Sequence, residues 1–322
     1  MKASKLYNTS KTTTLIHLVS AIWANAGLSA LFILMFAALS LFVPNFFSVP
    51  NMIGLSLSVS MVGMVASTML FCLAGGNFDL SVEAIVAFSG VVVATLINIT
   101  GNLSLSIGTS VLLGALIGLI NGLIIAKLKI NALITTLATM QIVRGLGYIT
   151  SGGISVGVIE ERFFLIGNGT SLGIPNPIWV TILCFIVFGV LLNFTSYGKN
   201  TLAIGGNREA ARLAGINVDL VKILNFTLQG AVAGLAGVIL ASRMTSGQPT
   251  TSQGFALDVI SACVLGGVSL SGGVGTMGGV IIGVLIMGTM QNALNLLNIP
   301  TFYQYVIRGV VLLLAVFLDQ FR

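Results

Sequence analysis

Apolar and polar positions along this chain separate into long blocks. Apolar runs occupy about residues 24–43, 52–73, 79–100, 103–126, 130–149, 177–194, 221–242, 256–270, 274–297 and 301–318. Most approach the ~20 residues that a helix needs to cross the hydrocarbon core of a bilayer. The pattern predicts an all-α polytopic membrane protein with about ten transmembrane helices. The count can fall to eight. The eighth run is short, and the glycine-rich stretch Leu265–Gly279 could be a broken or re-entrant helix, which survives at membrane depth only where protein or a wet cavity covers it.

Composition agrees with that reading. Of 322 residues, 56% are hydrophobic and 7% charged, and the mean hydropathy is +1.07. A soluble domain carries about 25% charged residues, so this chain cannot present an ordinary water-facing surface. The 39 glycines, about 12% against an average near 7%, suit close helix packing in lipid. Small-xxx-small runs stand at Gly114, Gly118 and Gly122, at Gly275, Gly279 and Gly283, and at Gly230 and Gly234. Cys72, Cys184 and Cys263 all lie in apolar runs with no metal or redox spacing, and read as small apolar fillers.

The net charge of +6 changes the picture only through its placement. With both termini in the cytoplasm, ten basic residues face inward: Lys2, Lys5, Lys11, Lys127, Lys129, Lys199, Arg208, Arg212, Lys222 and Arg322. Only Arg162 and Arg243 face outward, and Arg144 and Arg308 lie within spans. This is the positive-inside bias, satisfied by an even span count. No basic face interleaved with aromatics exists, so a nucleic-acid partner is excluded. Residues 1–23, with His17, read as an uncleaved cytoplasmic tail, and 24–322 as the membrane domain. Trp23 and Trp179 sit at span ends as interfacial anchors. Residues 150–176 form an outer loop holding Glu160, Glu161 and Arg162, and residues 195–220 an inner one.

The inner loop holds the most informative motif, Gly205-Gly206-Asn207-Arg208-Glu209-Ala210-Ala211-Arg212-Leu213-Ala214-Gly215. Asn207 is a good N-cap, Glu209 suits the first turn, and Gly215 suits the position past the end. Ala210, Leu213 and Ala214 share one face of this two-turn helix, with Arg208 and Arg212 on another. So short a helix is marginal alone in water. It should dock, small-residue face inward, on its own membrane domain or on a partner.

These residues resemble the EAA loop of ABC importer permeases, in which a cytoplasmic helix enters a groove of the ATPase subunit. The Leu-Pro that closes the longer form is absent, as in the ribose-type branch. Gly75–Ser81, Asn131–Met140 and Val264–Ser269 are similar to that branch, and the likeness runs along nearly the whole chain. Lys127–Gly145 and Leu240–Leu270 look closest to its arabinose permeases. The resemblance implies a homodimer of permease copies in the bacterial inner membrane, with a separate ABC ATPase binding ATP and Mg and a periplasmic sugar-binding protein outside. L-arabinose would be the favoured cargo, and Asn207, Glu209, Ala210, Ala211 and Gly215 would couple to the ATPase. This chain has no G-x-x-x-x-G-K-[ST] phosphate loop of its own, so it is read as a non-enzymatic subunit.

Polar groups inside spans are the candidates for the path, because a wet neutral solute needs partners that exchange hydrogen bonds without holding tightly. These are Asn121, Thr135, Thr136, Thr139, Gln141, Gln291, Asn292 and Gln304, although threonine often bonds its own backbone. Arg144 lies about 21 Å along its span at ~1.5 Å per residue. It should find a buried partner, and Asp258 is the expected one, with Arg308 as the rival cation. Asp79 and Glu83, near the inner start of the third span, either gate the path or stabilise a helix N-terminus. Their interfacial depth favours the second role.

Three other classes were weighed. An ion-coupled secondary sugar transporter, the main alternative, would favour acids or histidine near the midplane. Here the spans lack histidine and every acid lies near a predicted end. A membrane enzyme needs a nucleophile–base pair or a metal cluster, and nothing assembles. A passive pore has no use for an ATPase-docking helix.

Overall fold

The structure, a computed structural model, describes residues 27–319. Trp23, His17, the three N-terminal lysines and Arg322 lie outside the described residues. Among the described residues, the regular structure is helical apart from four two-residue strands.

Seven helices are long and apolar enough to cross a membrane. They are α2 (Val49–Ala74), α3 (Val82–Thr100), α4 (Leu103–Lys127), α5 (Ala132–Ser151), α7 (Asn176–Phe194), α10 (Val218–Met244) and α12 (Met277–Leu296). The other three apolar runs form shorter helices, Gly27–Phe42 (α1), Phe255–Leu265 (α11) and the apolar part Thr301–Phe317 of α13 (Thr301–Asp319). About ten full spans is therefore corrected to seven among the described residues. The 256–270 run takes the broken form that its short length and glycines allowed. Its helix stops at Leu265 because Gly267, Gly272 and Gly273 take positive φ, which breaks the ladder. The break is covered: the Gly273 N–H donates to the Ala74 carbonyl at 2.8 Å, at the end of α2.

Local signals set the ends. Asn102, Asn131, Asn217 and Thr276 each accept a backbone N–H at the starts of α4, α5, α10 and α12, satisfying donors that a helix leaves open. Gly101 and Gly152 close α3 and α5 in the left-handed region. Helices α2, α3 and α10 form the enclosed centre, with Met64, Met69, Phe71, Ile85 and Phe226 fully buried, while α5 and α7 lie outside.

The glycine runs locate the closest crossing. A Cβ on Gly118 of α4 would sit 2.1 Å from the Phe226 carbonyl, and one on Gly230 of α10 would sit 2.2 Å from the Gly114 carbonyl. Only hydrogen fits there. Gly279 and Gly283 of α12 admit α11 equally closely, against Gly266 and Ala262. Gly275, the first of that run, precedes the helix and packs beside Val268.

At one end, α6 (Glu161–Asn168) docks under α10, where the Gly167 N–H donates to Ser242 Oγ at 2.7 Å. Strands β1 (Val156–Gly157) and β4 (Ser246–Gly247) pair antiparallel, tying the 150–176 segment to the chain after α10. A second pair, β2 (Thr170–Ser171) and β3 (Ile174–Pro175), turns beside Trp179, whose indole N–H donates to the Ser171 carbonyl at 3.0 Å. At the opposite end lie the α4–α5 turn, α8 (Ser196–Gly206), α9 (Arg208–Leu213) and the start of α10, gathering Lys127, Lys129, Lys199, Arg208, Arg212 and Lys222.

Candidate translocation path and cytoplasmic helix

The Asn207 side chain caps α9 by accepting the Ala210 N–H at 3.0 Å, and Gly215 follows with φ +84°. The facing separates the two docking alternatives. Ala211 is buried with Ile204, Val218 and Val221, whereas Ala210, Leu213 and Ala214 are exposed, Leu213 at 88%. The i, i+3, i+4 stripe therefore points away from this chain. The reason is the neighbouring α8, which the sequence reading passed over as loop. It occupies the space against the membrane domain and leaves only the Ala211 side of α9 to pack on it. Glycine makes α8 possible: a Cβ on Gly205 would fall 1.8 Å from the Ala74 carbonyl.

Beside α9, Lys129, Arg208, Arg212 and Asp219 line a small polar hollow, and Lys127 pairs with Asp219 at 3.1 Å in the open. Deeper in, Lys222 is buried and donates to Asn77 Oδ1 at 3.3 Å.

The intramembrane polar residues divide into separate groups. Thr139 Oγ1 donates to Asn121 Oδ1 at 2.6 Å, Asn121 Nδ2 donates to Ser81 Oγ at 3.0 Å, and Ser81 Oγ donates to Asp79 Oδ1 at 2.6 Å. This chain of bonds links α5, α4 and the segment before α3, and Asp79 Oδ2 has no partner. Thr135 and Thr136 bond the carbonyls of Asn131 and Ala132, four residues back, and Gln141 lies on an exposed face. Asn292 pairs with Asn51, while Gln291 joins Gln304 and Arg308.

The expected Arg144–Asp258 pair does not form. Arg144 Nη2 meets Glu83 Oε1 at 2.6 Å, and Asp258 Oδ2 meets Arg308 Nη1, the rival cation, at 3.0 Å. Helix α3 begins only at Val82, so Glu83 enters at the depth of Arg144, 12 residues and about 18 Å into α5 at 1.5 Å per residue. It is nearer than Asp258 and cannot be an interfacial cap. Its second oxygen accepts the Gly254 N–H at 2.9 Å, so one carboxylate ties α3, α5 and the start of α11 together.

A cavity of about 250 Å³ opens beside the C-terminal end of α10. Ser58, Arg243, Asp258, Gln291 and Arg308 supply polar surface to it, with Thr251 and Ser252 from the segment before α11. Of these, only Gln291 was anticipated as a lining residue. Arg243, expected from the sequence in an outer loop, lies in the last turn of α10 and reaches the Leu57 carbonyl at 3.4 Å. No periodicity could have found this site, because its lining is drawn from α2, α3, α10, the segment before α11, α11, α12 and α13.

Residues 51–316 match the family described as branched-chain amino acid transport system / permease component. The chain belongs to this permease family. The match runs from α2 into α13, so α9 and the cavity both fall inside it. The chain is 58% identical to the L-arabinose transport system permease protein AraH of Escherichia coli (strain K12) over 301 residues, 94% of this chain and 92% of that protein. It is 58% identical to the L-arabinose ABC transporter permease protein AraH of Azospirillum brasilense, over 92% of this chain and 88% of the relative. It is 42% identical to the ribose import permease protein RbsC of Bacillus subtilis (strain 168), over 87% and 88%. No solved structure matches it.

Proposed function

We propose that this chain is the membrane permease subunit of an ABC importer that carries a monosaccharide, L-arabinose in preference to ribose, across the bacterial inner membrane. The observation that carries the reading is the 58% identity to an L-arabinose permease along 94% of the chain. The geometry supports it at the coupling end. A capped six-residue helix with its apolar Leu213 face turned outward is unstable by itself and suits a groove on another protein. Asn207 and Gly215 frame that helix, Glu209 stands in its first turn, and Ala210 and Ala211 divide between its outer and inner faces.

The partners follow from the same reading: a second permease copy, an ATPase holding ATP and Mg, a periplasmic sugar-binding protein, and surrounding lipid. Both termini are cytoplasmic. Seven crossings alone would leave the ends on opposite sides, so α1, α11 and α13 enter the membrane as well, α11 as a short, broken crossing. Reconstitution with the ATPase and binding protein tests the assignment. ATP-dependent uptake of L-arabinose exceeding that of ribose is the expected result. Uptake that persists without ATP under an ion gradient would replace the importer with a secondary transporter.

A further inference from the structure

The cavity under α10 has a mixed lining. Met61, Val62, Met287 and Phe255 supply apolar surface. Beside them, Arg308 donates through Nη1 to Asp258 Oδ2 at 3.0 Å and through Nε to Gln291 Oε1 at 2.8 Å, and Gln304 holds Gln291 in turn. A guanidinium has five N–H donors in a fixed fork, and these bonds use two. A hydroxyl both donates and accepts, so a carboxylate and a guanidinium held side by side match two neighbouring hydroxyls of one solute. The apolar part of the lining matches the C–H face of a sugar ring.

Charge indicates which solute. Asp258 is neutralised by Arg308, so no spare carboxylate invites a cation. Arg243 is the one remaining fixed charge on the lining, and it is turned partly toward the Leu57 carbonyl. The lining therefore does not invite a cation, and a neutral, hydroxyl-rich molecule meets the Asp258 carboxylate without the repulsion that an anion would suffer.

We propose that this cavity is a transient binding station for one neutral monosaccharide, held through its hydroxyls by Asp258, Arg308 and Gln291 with its ring against Phe255. The proposal rests on the sugar-importer assignment and names the place within it where cargo pauses. Pausing requires binding weak enough to release onward.

The test uses the complete importer in proteoliposomes with Cys72, Cys184 and Cys263 replaced by alanine and a single thiol introduced by Ser58→Cys, at the cavity lining on α2. Alkylation by a small polar thiol reagent is timed with and without L-arabinose, with sucrose as a solute too large for the cavity. At ten times the dissociation constant, one site is about nine-tenths filled, so arabinose should slow labelling about tenfold, and sucrose should not. Thr251→Cys, before α11, repeats the measurement where Ser58→Cys does not fold. Equal rates with and without arabinose overturn the station. Stronger protection by a sugar acid than by arabinose overturns the neutral class. ATP-driven uptake by the unsubstituted importer runs in parallel: no sugar uptake sinks the importer assignment, whereas normal uptake with unprotected thiols sinks the station alone.

Discussion

Replacing Arg144 with methionine removes the guanidinium 2.6 Å from Glu83 and leaves a carboxylate whose side chain is only 10% exposed facing a backbone N–H alone. Breaking a fully buried pair from one side costs about 3–5 kcal/mol, because the remaining charge is uncompensated. Here Arg144 keeps 16% of its side-chain surface, so water tempers the loss to about 2 kcal/mol for either Arg144→Met or Glu83→Met. The double variant leaves no buried charge and orphans only the Gly254 N–H, at about 1 kcal/mol. The two sites should therefore couple by about 3 kcal/mol, the upper end for residues in contact. The assay is unfolding by SDS in mixed micelles, followed by dye labelling of the buried Cys72, Cys184 and Cys263 as they become exposed. Additive losses, with coupling below about 0.5 kcal/mol, would refute the pairing. An Arg144–Asp258 cycle serves as comparison and should show far less coupling, because Asp258 is engaged by Arg308.

Gly118→Ala should lower stability by about 1–3 kcal/mol through overpacking at the α4–α10 crossing. Gly145→Ala, where a Cβ meets nothing within 4 Å, should cost nothing; equal losses in the same assay would refute the crossing. Asn207→Ala removes the acceptor of the Ala210 N–H and should fray α9 by about 1 kcal/mol. Sugar-stimulated ATPase activity of the importer should then fall while the micelle unfolding midpoint holds, and unchanged coupling would count against α9 as the contact. Lys127→Ala breaks a pair whose side chains are 60% and 35% exposed. It should shift stability by less than about 0.5 kcal/mol at any salt concentration, and a larger loss would show that the pair is structural.

The sequence alone determined the solvent and much of the scaffold. Apolar runs near the length of a bilayer, few charges and basic residues biased to one side are properties of composition and order, and they dictate helices in lipid. Asn207 and Gly215 announced α9, and the glycine ladders announced close crossings, because caps and small-residue spacing act within a turn or two of their own helix. Tertiary structure decided what lies across helices. Which way α9 faces depended on α8 filling the space beside it. Which acid reaches Arg144 depended on the depth at which α3 begins. The 256–270 run is helical only as far as Leu265 because Gly267 turns the chain and Gly273 then bonds Ala74. The cavity exists because six separated segments bring Ser58, Arg243, Ser252, Asp258, Gln291 and Arg308 to one place. Ion pairs and cavities form between side chains far apart in the chain, and periodicity carries no record of those distances.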